Sequence, residues 1–217
     1  MEKILILLLV CIILDVNAAI DWKLVKDKNE IQIYTTQKLN HKLKHFKAQY
    51  HIKKNAKTIL AALQDTSACS QWVHNCISNE LVSVTNVRIR TYHTIIKSSL
   101  WLKDRDFYLQ SNVSYDPQEK LFVITLLSKP EYGKETKDNV RIQQVEMTWS
   151  LKYLTEEKTL VTYQIYIDPK LPIKAINHKM IQDSIFETLV GLRNIVKKPI
   201  YTNKKHTKAE LKLLVED

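Results

Sequence analysis

The chain has 217 residues, of which 45% are hydrophobic and 26% are charged, and its formal net charge at pH 7 is +10. This balance is typical of a globular domain and excludes a disordered chain, a collagen-like repeat and a bundle of membrane-spanning helices. Only two glycines occur, Gly133 and Gly191. The sequence therefore contains none of the glycine-rich motifs that bind nucleotide phosphates.

The first eighteen residues have the pattern of a secretory signal peptide. An apolar run at residues 4–14 is followed by Val16 and Ala18, small residues at the −3 and −1 positions of a cleavage site. An apolar helix of this length spans about 16 Å, roughly half of a bilayer core, so cleavage is favoured over a membrane anchor. A lipoprotein signal ending at Cys11 is the weaker alternative. We therefore predict a signal peptide at residues 1–18 and a periplasmic or secreted protein.

Export changes how the positive charge is interpreted. Residues 1–18 carry a net charge of −1, so the 199 residues that follow carry +11. Outside the cytoplasm, a basic surface favours anionic lipid headgroups or other envelope components over nucleic acid. The lysines are scattered and form no nucleic-acid reading motif. We predict an anionic membrane surface as a partner, no nucleic-acid partner, and a monomer.

Two cysteines, Cys69 and Cys76, remain after the signal peptide, an even number for an oxidising compartment. On one unbroken helix, residues seven apart lie about 10.5 Å apart, too far for a disulfide. A bond therefore requires a bend between them, with which the polar residues 70–71 are compatible. We favour a disulfide over two free thiols. A metal site that adds His74 is the third alternative, and it lacks a fourth ligand at a familiar spacing. We predict no metal site and no cofactor.

In chain order, the patterns predict two short strands, a short helix, a long series of strands and one long helix. The short helix at residues 56–63 has a good N-cap in Asn55. Alternating or β-branched runs predict the strands, at residues 31–34, 46–52, 81–85, 88–97, 105–115, 121–127, 140–153 and 160–167.

The long helix is predicted at residues 173–197, where apolar residues form a stripe with helical spacing. Pro199 is expected to end it, and residues 202–217 are expected to form a loosely held, charged tail. An antiparallel sheet with one apolar face must bury that face, and this helix is the obvious cover. The sequence therefore predicts an α+β fold. A curved sheet around one helix tends to leave an apolar space that suits a hydrophobic ligand.

Several short segments, in one order between Trp22 and about Tyr201, are similar to a known family. They are Phe46-Lys47-Ala48, Trp72, Tyr92, Asp104-Arg105-Asp106-Phe107, Val140-Arg141, Trp149-Ser150-Leu151, Val161-Thr162-Tyr163, Asp168-Pro169 and Leu189 with Leu192-Arg193. The set resembles the START domain, the lipid-transfer module related to the steroidogenic acute regulatory protein, and most of all its exported bacterial branch. The resemblance implies a helix-grip fold at residues 19–201, with a curved antiparallel sheet wrapped around the long C-terminal helix. It also implies a cavity for one lipid or sterol-like molecule and no catalytic machinery.

Two arginines could meet the polar head of such a ligand. Arg105 is interpreted first as a salt-bridged structural residue, and as a ligand partner at the cavity mouth in the alternative. Arg141 is either a buried charge on the face of Met147 and Trp149, needing a carboxylate or an anionic ligand, or a surface residue at a strand end. The other candidate ligand-binding residues are apolar or aromatic and could equally be core: Trp72, Tyr92, Met147, Trp149, Tyr163, Ile181, Ile185 and Leu189.

Three functions from different classes remain open at the level of sequence. The first is non-catalytic binding or transfer of a lipid or other hydrophobic small molecule. The second is an aromatase/cyclase-like enzyme on the same fold, for which the acid or base candidates are Arg141, Glu146, Tyr163 and His93. The third is an envelope interaction protein that uses its basic surface.

Overall fold

The structure is a computed structural model that describes residues 20–39, 41–98, 102–171, 173–202 and 212–214. The signal peptide expected at residues 1–18 lies outside the described residues, as does most of the charged tail. Cleavage after Ala18 therefore stays a prediction.

Ten strands form a single curved sheet. In chain order they are β1 (Lys23–Lys28), β2 (Ile31–Thr36), β3 (His45–Ile52), β4 (Cys76–Val84), β5 (Ile89–Ile96), β6 (Asp104–Asp116), β7 (Leu121–Ser128), β8 (Asn139–Arg141), β9 (Val145–Thr155) and β10 (Lys158–Ile167). The spatial order is β1-β2-β3-β10-β9-β7-β6-β5-β4, with neighbours antiparallel, and the short β8 runs parallel to the start of β6. The third strand and the last strand of the chain thus meet inside the sheet, where β3 pairs with β10.

Within the described residues, the α-helices that accompany the sheet are α1 (Ala56–Leu63), α2 (Cys69–Trp72), α3 (Lys174–Ile195) and α4 (Pro199–Thr202). Asn55 caps α1 as expected, because its side-chain oxygen accepts a hydrogen bond from the backbone N–H of Lys57 at 2.9 Å. The long α3 packs against β2, β3 and α2. The predicted α+β helix-grip fold is confirmed: a curved antiparallel sheet is wrapped around a long C-terminal helix.

The face of the sheet that looks toward α3, here called the inner face, carries the core. One row of facing residues crosses five strands, in the order β2, β3, β10, β9 and β7: Ile33, Ala48, Tyr163, Trp149 and Ile124. Successive side chains of a strand point to opposite faces, so the row's neighbours along each strand point to the outer face. Leu189 and Leu192 of α3 pack on this core without exposure.

The predicted disulfide is confirmed between Cys69 in α2 and Cys76 at the start of β4, with Cα atoms 5.9 Å apart. The bend that it needs is the turn out of α2, where Asn75 has a positive φ of 59°. Beside it, α3 crosses α2 closely at Gly191. A Cβ atom there would lie 2.2 Å from the carbonyl oxygen of Trp72, so only glycine fits.

Several boundaries differ from the sequence-based expectations. The charged strand β1 was not predicted, because charges on an edge strand obscure its period. The strand expected at residues 140–153 is divided into β8 and β9 by residues 142–144. Pro199 begins α4 instead of only ending α3. The tail is not loose at Leu214, which is buried and accepts a backbone hydrogen bond from Tyr115 at 2.8 Å.

Candidate ligand-binding cavity

A cavity of about 420 Å³ lies between the inner face of the sheet, α2 and α3. Its lining is mostly aliphatic and aromatic. Three of its lining residues are exposed, Asn75 before β4, Lys97 after β5 and Met180 in α3, and they place the opening of the cavity. A mostly apolar space of this size is typical of a site for one small hydrophobic ligand.

The alternation of β6 explains which of its side chains reach the cavity. Arg105, Phe107, Leu109 and every second residue up to Val113 line it, whereas Asp106 between them points to the outer face. The strand therefore supplies a wall that is cationic at its start and apolar for the rest of its length, except at Ser111.

The wall formed by β9 and β10 is aromatic. The rings of Trp149 and Tyr163 stack with centroids 4.1 Å apart, and Trp72 of α2 meets Trp149 edge-on at 6.3 Å. The hydroxyl of Tyr163 donates only to the sulfur of Met147, at 3.3 Å. Burial raises the pKa of Tyr163, so the phenol stays neutral and the wall carries no charge.

Arg105 brings a positive charge to the end of the cavity that lies beside the opening. It is 8% exposed. Its Nη1 donates to Ser98 Oγ at 2.8 Å and to the carbonyl of Lys103 at 2.6 Å, and its Nε donates to the carbonyl of Pro169 at 3.3 Å. Burial lowers the pKa of Arg105, and the neighbouring Asp104 opposes that effect. The guanidinium stays charged under all ordinary conditions.

No carboxylate in the described parts of the chain forms a salt bridge with Arg105. The salt bridge that the first interpretation of Arg105 requires is therefore absent from the described residues. Neutral oxygens hold the side chain in place, and the neighbouring Asp104 stabilises its charge without forming a salt bridge with it. That arrangement orients a cation without neutralising it.

Arg141 lies on the outer face and does not line the cavity. Its Nε and Nη2 donate to one carboxylate oxygen of Asp106 at 3.0 and 2.8 Å. The same oxygen lies 2.9 Å from Nε2 of His93, and the guanidinium lies over the ring of Tyr108 at 4.8 Å. Burial alone would raise the pKa of Asp106, but the hydrogen bonds from Arg141 and His93 outweigh it and lower the pKa. This cluster is a buried ion-pair network with its own counter-charge, in which Arg141 and His93 share Oδ2 of Asp106 and Oδ1 of Asp106 has no hydrogen-bond partner among the described residues.

The break between β8 and β9 explains why Arg141 was expected on the wrong face. A continuous strand from Val140 would place Arg141 on the same face as Met147 and Trp149, as we assumed. Residues 142–144 interrupt the ladder, and after the interruption the alternation restarts with the other parity. Ile142 therefore lines the cavity in place of Arg141.

Eight of the ten candidate ligand-binding residues lie on the cavity wall: Trp72, Tyr92, Arg105, Met147, Trp149, Tyr163, Ile181 and Ile185. Leu189 does not, because α3 turns it into the packed core, where it is fully buried. Whether the eight contact a ligand stays a prediction. Sequence reasoning missed Lys97 and Ser98 at the opening, since they follow the end of β5 and the contact of Ser98 with Arg105 joins residues of different elements.

The candidate acid and base residues of an enzyme are not brought together. Of the four, Tyr163 lines the cavity, while His93 and Arg141 belong to the outer-face cluster and Glu146 is exposed on β9. The described residues contain no group of three histidine, cysteine or acidic side chains arranged for a metal ion. His41 and His45 do meet, with ring nitrogens 2.6 Å apart, and burial, followed by the nearby Lys38 and His41, lowers the pKa of His45 from 6.5 to about 4.

A family model for the START domain matches residues 17–199. The chain belongs to the START domain family. A curated relative, an uncharacterised protein of Pseudomonas aeruginosa, is 26% identical over 180 residues, which are 82% of this chain and 88% of the relative.

Solved START structures show the same fold. The STAR-related lipid transfer protein of Xanthomonas axonopodis superposes with a TM-score of 0.74 at 22% identity, over 82% of this chain and 99% of that one. Human STARD10 also gives a TM-score of 0.74, at 18% identity, over 88% of this chain and 80% of its own. The Zhui aromatase/cyclase of Streptomyces is more distant, with a TM-score of 0.52 at 9% identity over 72% and 94%. Among the described residues, no helix is both long and apolar enough to cross a membrane.

Proposed function

We propose that this START domain is a non-catalytic binding protein that holds one hydrophobic ligand with a polar head in its internal cavity. START domains in general bind lipids or other hydrophobic ligands, and the chain carries a cavity of suitable size. The signal pattern at residues 1–18 and the Cys69–Cys76 disulfide support a periplasmic or secreted location.

The observation that carries the proposal is the position of one buried cation, which forms no salt bridge with a described carboxylate, on a mostly apolar cavity wall. Arg105 is buried and fixed by neutral oxygens, and it lies beside Ser98 near the opening. A polar head that enters last would meet this guanidinium while the apolar part of the ligand occupies the space beyond Phe107 and Leu109. Burial of about ten methylenes is worth on the order of 8 kcal/mol, enough to hold a ligand without a covalent bond.

Exposed apolar residues near the opening suggest how ligand would enter from a membrane. Ile173, Ile176 and Met180, at the start of α3, are each more than two-fifths exposed. Together with the +11 charge of the exported chain, they fit an anionic lipid surface. On this proposal the protein acts as a monomer. The start of α3 contacts the bilayer and moves away from the opening of the cavity, while the close contact at Gly191 holds the other end of the helix against α2.

Native mass spectrometry of the protein after export from an expression host tests the proposal. We expect an intact mass that lacks residues 1–18 and an additional bound species of a few hundred daltons that organic solvent extracts. The lipid-free protein should then take up a fluorescent hydrophobic probe. A protein that carries nothing and binds no phospholipid, fatty acid, sterol or probe would contradict the proposal and favour an envelope interaction protein.

A matched pair of variants tests the docking surface. Ile176→Asp places a charge at the proposed membrane contact, whereas Ile200→Asp places one at a more exposed position in α4. Only the first should weaken sedimentation with anionic vesicles and slow the uptake of probe from them. Equal effects of both variants would show that membrane contact does not involve the start of α3.

A further inference from the structure

We propose that the Cys69–Cys76 disulfide controls the exchange of ligand, because it fixes one side of the cavity opening. The inference rests on the proposed binding function and adds a redox-sensitive element that sets how fast a ligand enters and leaves. Residues 72–75, which lie inside the ring that the disulfide closes, are here called the rim segment.

The ring closed by the disulfide is itself part of the cavity wall. All four residues of the rim segment line the cavity, and so does Cys69. At the end of the segment Asn75 is exposed at the opening, whereas Cys69 and Cys76 are only 5% and 8% exposed. A change in the disulfide therefore acts directly on the wall that borders the opening.

Local backbone structure does not hold the rim segment in place by itself. The helix α2 is a single turn that ends at Trp72, Val73 is extended, and Asn75 has a left-handed φ of 59°. One turn of helix is marginal without tertiary contacts, and a left-handed conformation is costly for a residue other than glycine. The position of the segment thus depends on contacts with other elements and on the disulfide.

Hydrogen bonds connect the rim segment to both sides of the opening. The backbone N–H of His74 donates to Thr188 Oγ1 of α3 at 3.1 Å, and the carbonyl of Asn75 accepts from the backbone N–H of Lys97 at 2.8 Å. In the proposed route of entry the start of α3 moves, so the rim segment is the side of the opening that must stay in place. The disulfide ties it covalently to the sheet at β4, and reduction leaves only the noncovalent contacts.

Reduction requires a dithiol, which supplies two electrons and two protons. One thiolate of the reductant attacks a sulfur of the disulfide and releases the other cysteine. The second thiolate then displaces the bound cysteine, which leaves two protein thiols and an oxidised reductant. Because Cys69 and Cys76 are both buried, the attack requires the rim segment to open. Loss of ligand and reduction of the disulfide should therefore depend on the same local opening.

Release of Nile red, a neutral fluorescent apolar dye, from the lipid-free protein after rapid dilution measures the exchange. The double variant Cys69→Ser with Cys76→Ser should release the dye about fivefold faster or more than the unmodified protein. Gly133→Ala is the control, since it disturbs Tyr108 on the outer face and does not line the cavity. If the disulfide is only structural, both variants should show the same small change, and that result would overturn the inference.

Reduction of the unmodified protein by dithiothreitol, followed by alkylation and mass spectrometry, tests the opening without any substitution. Nile red at about ten times its dissociation constant should slow reduction about tenfold, because only the dye-free protein opens in this proposal. The rate should stay constant in urea well below the unfolding transition, since a local opening exposes little surface. A rate that rises steeply with urea would show that reduction follows global unfolding, and it would contradict control of the opening by the disulfide.

The outcomes separate this inference from the function on which it rests. Dye that binds, but leaves the disulfide and dithiol forms at the same rate, would overturn control by the disulfide and leave hydrophobic-ligand binding standing. Failure of both forms to bind the dye or any lipid would overturn the proposed function itself.

Discussion

Two buried arginines, close together in the same sheet, keep their charges in different ways. Arg141 points to the outer face and shares the carboxylate of Asp106 with His93. Arg105 precedes Asp106 in β6, points to the inner face and is held by the neutral oxygens of Ser98, Lys103 and Pro169. The first arginine completes an ion pair within the fold. The second keeps a charge that a ligand can neutralise, which is why the proposed head-group contact is Arg105.

Removal of the counter-charge of Arg141 should have the largest effect on stability. Asp106→Asn leaves a buried guanidinium without its carboxylate, and the free energy of unfolding should fall by about 3–5 kcal/mol. Urea unfolding measures it. The double variant Asp106→Leu with Arg141→Met should lose less than the single variant, since it buries no unpaired charge. A single variant that loses under about 1 kcal/mol would show that the pair contributes little.

The dependence of stability on pH tests the same ion pair of Asp106 and Arg141 in a second way. The pKa of Asp106 lies below its ordinary value of 3.8 in the folded protein, so the ionised carboxylate favours folding. Its contribution is complete above that ordinary value and is lost as the pH falls through the lower folded pKa. The gap in unfolding free energy between the unmodified protein and Asp106→Asn should therefore narrow as the pH falls below about 4, where the carboxylate takes up a proton. A gap that narrows at neutral pH would contradict this assignment.

A change beside Arg141 should have an intermediate effect. The carbonyl oxygen of Gly133 accepts a hydrogen bond from Nη1 of Arg141 at 2.8 Å. A Cβ atom added at Gly133 would lie 2.2 Å from the hydroxyl oxygen of Tyr108. In Gly133→Ala the ring of Tyr108, which also stacks on His93, must move, at a cost of about 1–3 kcal/mol. Thermal unfolding of Gly133→Ala in the Tyr108→Leu background should show a much smaller loss, because the clash is then removed.

The smallest effect on stability is expected at Arg105. Arg105→Met removes three hydrogen bonds to neutral oxygens but also removes a buried, unneutralised charge, so the free energy of unfolding of the lipid-free protein should change by about 1 kcal/mol or less. Urea unfolding of Arg105→Met and Asp106→Asn, side by side, measures the contrast directly. A loss as large as that of Asp106→Asn would show that Arg105 is a structural residue.

The inner wall of the cavity could be predicted where a strand is unbroken. Alternation predicts a shared face for Met147 and Trp149, because period two leaves no choice once one residue is known to face inward. Tyr163 was a candidate through the family resemblance, and only the structure distinguishes cavity wall from packed core for the three residues. Arg141 was assigned to the wrong face for the same reason. The alternation was continued from Arg141 to Met147 through residues 142–144, where the strand is interrupted and no glycine or proline marks the interruption. Lys97 and Ser98 could not be found, since loop residues carry no period that predicts their side-chain direction.

The sequence by itself determined the class of the fold and the long closing helix, because periodicity and caps are local properties, and it favoured the disulfide because two cysteines remain after the expected signal peptide. Tertiary structure decided which buried arginine has a counter-charge. That depends on where β8 ends against β6 and on which face Asp106 occupies, so it involves residues 35 positions apart in the chain. It also decided the volume left between the sheet and the helix, since an empty space depends on how α3 packs against both the sheet and α2, where it makes its close approach at Gly191, and not on any single segment.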